Sequence, residues 1–203
     1  MSETTIKAVF FDIGNVLLHF NPAEVLREVA GAIGRHPIKV ARYLWTSNKI
    51  EALERGEFGT DELFRLFQEE LGYDGTFAQF RKLWCDHFRP ERKTVSMLRA
   101  VSKRVDTYLL SNTHALHYDY IKQHYAFPKH IRAAVLSHEL GMRKPEARIF
   151  EAALKIAKVS AEQAVFIDDL KPNVEAARKV GFHAILYKDP DDLRRRLVDL
   201  GVL

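Results

Sequence analysis

Residues 8–15 read AVFFDIGN, and the rest of the chain is organised around this stretch. Four apolar residues lead directly into Asp12, which is followed by Gly14 and Asn15. A continuous apolar run is typical of a strand that is buried on both faces of a parallel sheet. Ligand sites in such sheets lie outside the carboxyl ends of the strands, so Asp12 is a candidate functional residue. A turn-capping role for Asp12 is an equally good interpretation of this stretch alone.

The composition predicts an ordinary globular chain. Its 203 residues are 47% apolar and 29% charged, and 31 basic against 27 acidic residues leave a formal net charge of +4. This small excess does not predict nucleic-acid binding, and no stretch approaches the length of a membrane span. The single cysteine, Cys85, cannot form an internal disulfide, which fits a cytoplasmic location, and the N-terminal segment lacks the pattern of a signal peptide. We expect neither a nucleic-acid nor a membrane partner.

Residues 16–90 show helical periodicity and no convincing strand. Asn21 is placed to cap a helix that has Pro22 at its first position, and Gly34 is placed to end it. We therefore expect this segment to be an all-helical insertion.

Beyond residue 90 the pattern changes to helices and strands in alternation. The predicted strands are DTYLLS, IRAAVLS, QAVFID and HAILY. Such alternation predicts a parallel sheet with right-handed crossovers. The predicted fold is α/β, with a Rossmann-like three-layer core formed by residues 1–15 and 91–203 and a helical cap formed by residues 16–90.

Polar groups follow the predicted strands at their carboxyl ends. If the strands are parallel, these groups gather at one edge of the sheet: Asp12, Ser111, Asn112, Lys144, Asp168 and Asp169. Three carboxylates without a counter-cation repel one another, and oxygen ligands suit Mg²⁺. A hydroxyl, backbone N–H groups and a lysine would stabilise a transferring phosphoryl group, which leaves Asp12 free to attack phosphorus and form an aspartyl phosphate. Taken singly, each residue also has a structural interpretation as a helix cap or a surface charge.

In this order, the residues resemble the four signature motifs of the haloacid dehalogenase superfamily. Asp12 in FFDIGN matches the nucleophile motif, Ser111 in LLSNT the second, Lys144 in GMRKPEARIF the third, and Asp168-Asp169 in FIDDLKPNVEAA the fourth. The resemblance covers essentially the whole chain, because the helical segment lies where members with a small helical cap carry it. Through DIGNVL, LSNT and LGMRKPEARIF, the sequence resembles the alpha-D-glucose-1-phosphate phosphatases and the phosphatase domain of soluble epoxide hydrolases.

The resemblance implies a Mg²⁺-dependent phosphatase that acts on a small phosphorylated metabolite, a sugar phosphate being the favoured substrate. Asp12 and Lys144 would be the catalytic residues. The groups implied to bind phosphate are Ser111, Asn112 and Lys144. The groups implied to hold Mg²⁺ are Asp12, the Gly14 carbonyl and Asp169, with Asp168 close by and often acting through water.

One position departs from the superfamily's pattern. Most of its phosphatases carry a second Asp two residues after the nucleophile, where it protonates the leaving oxygen, and here that position is Gly14. Loss of a general acid costs roughly 10²- to 10⁴-fold in rate. Three explanations are open: the substrate has a good leaving group, such as an anomeric sugar phosphate or an acyl phosphate; His19, His114 or a cap residue replaces the acid; or the protein turns over slowly and acts mainly by binding. We favour the first.

Two other functions compete with phosphate-ester hydrolysis. Dehalogenases of the superfamily carry an aromatic residue two positions after the nucleophile and need no acid pair, so Gly14 and Asp168-Asp169 argue against dehalogenation. A non-catalytic binding protein would not need every other motif. A charged segment around Gly56 allows two interpretations, a polar loop facing the site or solvated helix charges, and the second is favoured; its residues are Glu51, Glu54, Arg55 and Glu57.

Overall fold

A five-stranded parallel sheet forms the centre of the computed structural model, which describes residues 5–203 apart from the side chains of residues 45 and 46. Residues 1–4, which the predicted core includes, lie outside the described residues. The strands are β1 (Ala8–Phe11), β2 (Asp106–Ser111), β3 (Ala133–Leu136), β4 (Ala164–Asp168) and β5 (His183–Leu186). Their spatial order is β3-β2-β1-β4-β5, and all four pairings are parallel. The predicted α/β core is confirmed.

Strand β1 is buried on both faces, which explains why its sequence does not alternate. Val9 and Phe11 pack into an apolar cluster on one side of the sheet, and Ala8 and Phe10 pack into a second cluster on the other side. All four side chains have no exposed surface. Successive strand residues point to opposite faces, so two covered faces require apolar residues at every position.

The helices that flank the sheet alternate with its strands, as the sequence pattern predicted. They are α6 (Arg92–Val101), α7 (Ala115–His124), α9 (Ala147–Ala157), α10 (Lys171–Val180) and α11 (Pro190–Asp199), and a further short helix, α8 (Ser137–Leu140), follows β3. Helix α9 starts two residues after Pro145, because the backbone of Glu146 is still extended.

Five helices lie between β1 and α6 in the chain. They are α1 (Pro22–Ala32), α2 (Pro37–Ala41), α3 (Lys49–Glu54), α4 (Thr60–Glu69) and α5 (Phe77–Cys85), with a π-helical turn at Arg42–Thr46 after α2. The predicted start of α1 is confirmed, since the Asn21 side chain accepts a hydrogen bond from the backbone N–H of Ala23 at 3.1 Å. Gly34, with a φ of 61°, follows the end of α1 as expected.

The expectation of no strand within residues 16–90 is wrong at both ends of that segment. Leu18–His19 and Arg89–Pro90 form a two-stranded antiparallel sheet. Two residues are too short to show a period, so the sequence pattern could not reveal this pairing. The two-stranded sheet brings together the points where the chain leaves the core and returns to it. Among residues 5–203, no helix is both long and apolar enough to cross a membrane.

Candidate active site

The parallel register of the sheet places Asp12 beside the ends of the neighbouring strands. Phe11 pairs with Leu109 of β2 on one side and with Ile167 of β4 on the other. The backbone N–H of Asp12 donates to the Ile167 carbonyl at 2.9 Å, so Asp12 lies one residue beyond the last paired position of β1. A residue at this position can meet side chains from both neighbouring strands.

Lys144 lies between two carboxylates at this edge of the sheet. Its Nζ is 2.9 Å from Asp12 Oδ1 and 2.6 Å from Asp168 Oδ2. The Ser111 hydroxyl donates to Asp12 Oδ1 at 2.8 Å. All four residues are buried. The predicted nucleophile therefore has a lysine ammonium and a hydroxyl directly against it.

Asp168 holds Lys144 and has little capacity left for other partners. Its Oδ1 accepts hydrogen bonds from the backbone N–H of Leu170 at 2.8 Å and from Asn173 Nδ2 at 3.0 Å. Its Oδ2 accepts from Lys144 Nζ and from Asn173 Nδ2 at 3.1 Å. Asn173 was not predicted, although it lies in the quoted motif FIDDLKPNVEAA. Its position five residues after Asp168, in the first turn of α10, is the signal that could have identified it.

Asn112 fixes the backbone of Lys144 rather than offering its side chain to a ligand. Its Oδ1 accepts from the Lys144 backbone N–H at 2.8 Å, and its Nδ2 donates to the Lys144 carbonyl at 2.9 Å. Both ends of the amide are thereby used. The backbone N–H of Asn112 is the part of this residue that suits an anion.

The sequence predicted three carboxylates with no cation among them, whereas the structure places an ammonium group within the cluster. Lys144 supplies one positive charge, and its contacts with Asp12 and Asp168 raise the pKa of its ammonium even though burial opposes that charge. Burial raises the pKa of Asp12, and Asp168 adds to this while Lys144 opposes it. Burial and the neighbouring Asp168 likewise raise the pKa of Asp169. Three carboxylates and one ammonium still leave a negative excess when all are ionised.

The donor set at this edge fits a divalent cation. Asp12, Asp168 and Asp169 each offer one carboxylate oxygen, and these three oxygens lie within 4.8 Å of one another. Oxygen-only sites suit Mg²⁺, which keeps several waters and needs only one or two carboxylates. Because the oxygens of Asp168 are already bound, Asp12 and Asp169 are the better direct ligands. Gly14 lies on the wall of the adjoining cavity, and the use of its carbonyl as a ligand stays a prediction.

A cavity of about 260 Å³ opens above the Ser111 and Asn112 backbone and reaches under the cap. Helices α1, α3 and α5 each contribute side chains to its wall. A pocket that adjoins a cluster of titratable groups is the ordinary form of a small-molecule site.

The two histidines proposed as substitutes for the missing acid are poorly suited to that role. His19 is exposed, and its Nε2 pairs with Glu91 Oε2 at 3.1 Å. His114 accepts the Trp84 indole N–H on Nε2 at 3.3 Å, and burial lowers its pKa well below the usual value. Neutral His114 therefore carries its proton on Nδ1, which has no hydrogen-bond partner within the described residues.

The charged segment around Gly56 contacts the core beside the site, so the favoured interpretation as solvated charges is wrong for three of its four members. Arg143, the residue before Lys144, is 2.7 Å from Glu54 and 3.2 Å from Glu51. Arg55 bonds Glu146 at 2.5 Å and Glu51 at 2.9 Å. The fourth member, Glu57, is exposed. Arg143 directly precedes Lys144 in the sequence. This second positive charge beside the predicted catalytic lysine is the signal from which a role for Arg143 could have been predicted.

Comparison with known proteins places this geometry in a family. The family model of the haloacid dehalogenase-like hydrolases matches residues 6–181 of the sequence. A sesquiterpene phosphatase of Aspergillus oryzae is 32% identical over 192 residues, which is 92% of either chain. A D-ribitol-5-phosphate phosphatase of Bacteroides thetaiotaomicron is 22% identical over 200 residues, covering 95% of this chain and 97% of that protein.

The fold has counterparts among solved structures. A HAD family enzyme from Bacteroides thetaiotaomicron superposes with a TM-score of 0.85 at 21% identity, covering 95% of this chain and 98% of that one. The same enzyme has been crystallised with magnesium and inorganic phosphate. The chain described above belongs to the haloacid dehalogenase-like hydrolase family and is a hydrolase of its phosphatase type.

Proposed function

We propose that this enzyme is a Mg²⁺-dependent phosphatase that hydrolyses a small phosphate ester through an aspartyl phosphate on Asp12. The observation that carries the proposal is the contact of one Asp12 oxygen with both Ser111 Oγ and Lys144 Nζ. Donors that hold a carboxylate oxygen in this way are also placed to bind the oxygens of a phosphoryl group next to it.

In the first step, an Asp12 carboxylate oxygen attacks phosphorus and the bond from phosphorus to the leaving oxygen breaks. Lys144 and Ser111 stabilise the charge on the phosphoryl oxygens, while Asp168 and Asn112 keep Lys144 in place. Water then attacks the aspartyl phosphate, which releases inorganic phosphate and restores the Asp12 carboxylate. The Asp12 and Asp169 carboxylates would hold Mg²⁺, which neutralises phosphate charge when bound.

Lack of space does not explain why position 14 is a glycine rather than an aspartate. A Cβ added to Gly14 would meet no atom within 4 Å in the described part of the chain, and its φ is not in the left-handed region. We propose that the natural substrate has a leaving group that departs with little protonation. A cap carboxyl, Glu54, whose pKa burial raises, is the remaining candidate for a proton donor at the cavity wall.

The proteins that this chain resembles differ in the substrates for which they are named. The sequence resemblance favours a sugar phosphate, whereas the two phosphatase relatives are named for a sesquiterpene substrate and a sugar-alcohol phosphate, which differ greatly in polarity. A cytoplasmic site of action and the absence of a nucleic-acid partner stay predictions. The acid pair at 168–169 continues to argue against dehalogenation of a haloacid.

The proposal is tested with acetyl phosphate and 4-nitrophenyl phosphate, whose leaving groups need little protonation. We expect the enzyme to release phosphate from both in the presence of Mg²⁺ and to lose this activity with EDTA. The matched variant Asp12→Asn should be inactive while unfolding at the same urea concentration. Acid quenching during turnover should trap a phosphorylated peptide that contains Asp12. Equal hydrolysis by the wild type and Asp12→Asn would overturn the proposal.

A further inference from the structure

The wall of the cavity beside Asp12 is largely apolar. Its apolar side chains include residues from the segment after β1, from α1, α3 and α5, and from the position before the second short strand: Phe20, Val25, Leu26, Ile50, Trp84 and Phe88. We propose that the leaving group of the natural substrate is an apolar phenol, or a hydroxyl compound of similar acidity, that fills this cavity, rather than a sugar. This inference rests on the proposed phosphatase function and specifies its substrate class.

The polar side chains at the cavity are mostly engaged with the protein itself. Both ends of the Asn112 amide are bound to the Lys144 backbone. Glu54 is held by Arg143, and His117 Nε2 lies 3.2 Å from the carbonyl of Trp84, to which it donates. His114 Nδ1–H is an exception, because it lines the cavity without a partner among the described residues. One such donor can satisfy one oxygen, whereas a sugar would bury several hydroxyls here, and an unpaired buried hydroxyl is costly.

The aromatic part of the wall is packed as a rigid surface. The Phe20 and Phe88 rings stack at a centroid distance of 5.2 Å, and His117 contacts both rings edge-on. Trp84 stacks on His117 at 6.1 Å and gives its N–H to His114, so its ring presents carbon rather than a polar group. Such a surface favours a hydrocarbon and gives no hydrogen bonds to a polyol.

The size of the cavity limits the leaving group. Its volume of about 260 Å³ lies just below the roughly 300–1,000 Å³ of pockets that take drug-sized ligands, so it suits a small organic group. Ser111 and Asn112, the groups proposed to bind the phosphoryl oxygens, belong to the same wall, so the phosphoryl group and the leaving group share this space. A leaving group the size of an alkylphenol or a short branched chain fits.

The inference is tested with aryl phosphates that share one leaving-group chemistry: phenyl, 4-ethylphenyl and 4-propylphenyl phosphate, with 4-(2,3-dihydroxypropyl)phenyl phosphate as the polar counterpart of the last. We expect kcat/KM to rise roughly threefold to fourfold per added methylene, as burial of hydrocarbon predicts. The dihydroxypropyl compound should fall below phenyl phosphate. A flat series, or a preference for the dihydroxypropyl compound, would refute an apolar leaving group.

A variant pair assigns the effect to the cavity wall. Leu26→Gln should reduce the advantage of 4-propylphenyl over phenyl phosphate by roughly tenfold. Ile38→Gln is the matched control, because Ile38 is 70% exposed on α2 and the same change there should leave the ratio unaltered. If Leu26→Gln unfolds more easily, Leu26→Met, which keeps the volume, should retain the wild-type ratio. An unchanged ratio in folded Leu26→Gln contradicts the inference.

Acetyl phosphate separates this inference from the function on which it rests, since its leaving group is too small to fill the cavity. If acetyl phosphate is not hydrolysed by the Mg²⁺-loaded enzyme, the proposed function fails. If acetyl phosphate is hydrolysed and the aryl series shows no dependence on chain length, the phosphatase function stands and only the apolar leaving group is refuted.

Discussion

Arg143 Nη2 lies 2.7 Å from Glu54 Oε2, which joins the last residue of cap helix α3 to the residue that precedes Lys144. The two side chains are 27% and 19% exposed, so water screens the pair only partly. Because Glu54 also lines the cavity, this ion pair joins the cavity wall to the residue before Lys144, and we expect it to hold helix α3 against the core. Caps and lids that complete a site in this way exclude water from the reaction.

Removal of this ion pair should loosen the cap. In Arg143→Met, Glu54 loses its partner in a partly buried place, which costs about 1.5 kcal/mol for a charge-assisted hydrogen bond. We expect KM for 4-nitrophenyl phosphate to rise about tenfold with a smaller change in kcat. Arg65→Met is the control, because Arg65 is 61% exposed and pairs only weakly with Glu62 at 3.9 Å. If KM is the same in Arg143→Met and Arg65→Met, the ion pair does not contribute to closure of the cap.

Lys144 should be essential to stability as well as to activity. Lys144→Met leaves Asp12 and Asp168 as neighbouring buried carboxylates without a cation, and loss of one partner of a buried pair costs about 3–5 kcal/mol. We expect urea denaturation at pH 7 to show a loss of this size. Lys171→Met, at a lysine that is 75% exposed, should unfold like the wild type.

A second change tests the cause of that loss. Asp168→Asn in the Lys144→Met background removes one of the two unpaired charges while keeping the side chain's shape. The double variant should therefore be more stable than Lys144→Met alone, although inactive. A further loss of stability in the double variant would show that charge pairing is not the reason for the effect.

The sequence predicted the site more completely than the contacts that support it. Asp12 and Ser111 follow runs of buried strand residues, and parallel pairing is enough to bring such positions together. Asn173 and Arg143 act through partners from other segments. Their roles depend on tertiary packing, which the periodicity of the local sequence does not reveal. The close approach of Gly56 to the core has the same origin, because it depends on where the His138 carbonyl lies.

Gly56 should be required for the cap to meet the core. Its φ of 68° is unfavourable for other residues by about 1–2 kcal/mol, and a Cβ there would collide with the backbone carbonyl of His138. We expect Gly56→Ala to lower the free energy of unfolding and to raise KM. Gly31→Ala, in α1, is the control, and it should raise the free energy of unfolding instead of lowering it. No atom of the described chain lies within 4 Å of a Cβ at Gly31, and a helical alanine stabilises by about 0.5–1 kcal/mol.

Gly14→Asp tests the leaving-group explanation for the missing acid. The open space at Gly14 predicts that the variant folds without a steric clash, and Mg²⁺ should offset the repulsion between the new carboxylate and the acidic cluster. If the natural leaving group needs little protonation, the new carboxyl should give little gain on acyl phosphates or sugar 1-phosphates. Steady-state kinetics on these substrates provides the measurement. A gain of roughly 10²-fold or more on them would sink the explanation.

Stability should fall in mild acid because two histidines at the cavity, the buried His114 and the half-buried His117, stay neutral in the folded chain. Burial lowers the pKa of His117 from 6.5 to about 4, and the neighbouring His87 adds to this, while the hydrogen bond to Trp84 opposes it. Between these two pKa values the unfolded chain binds more protons than the folded one, so stability rises with pH through this window. From pH 7 to pH 5, His117 alone should cost about 2 kcal/mol.

His117→Gln tests this assignment, because glutamine keeps an N–H donor for the Trp84 carbonyl and does not titrate. Urea denaturation at pH 7 and pH 5 should show a smaller acid-induced loss in the variant than in the wild type. Part of the loss should remain, since burial also lowers the pKa of His114. His130→Gln is a suitable control, because His130 is exposed and lies outside the wall of the cavity, and this variant should show the same acid-induced loss as the wild type. An identical acid-induced loss in His117→Gln and the wild type would show that folding does not lower the pKa of His117.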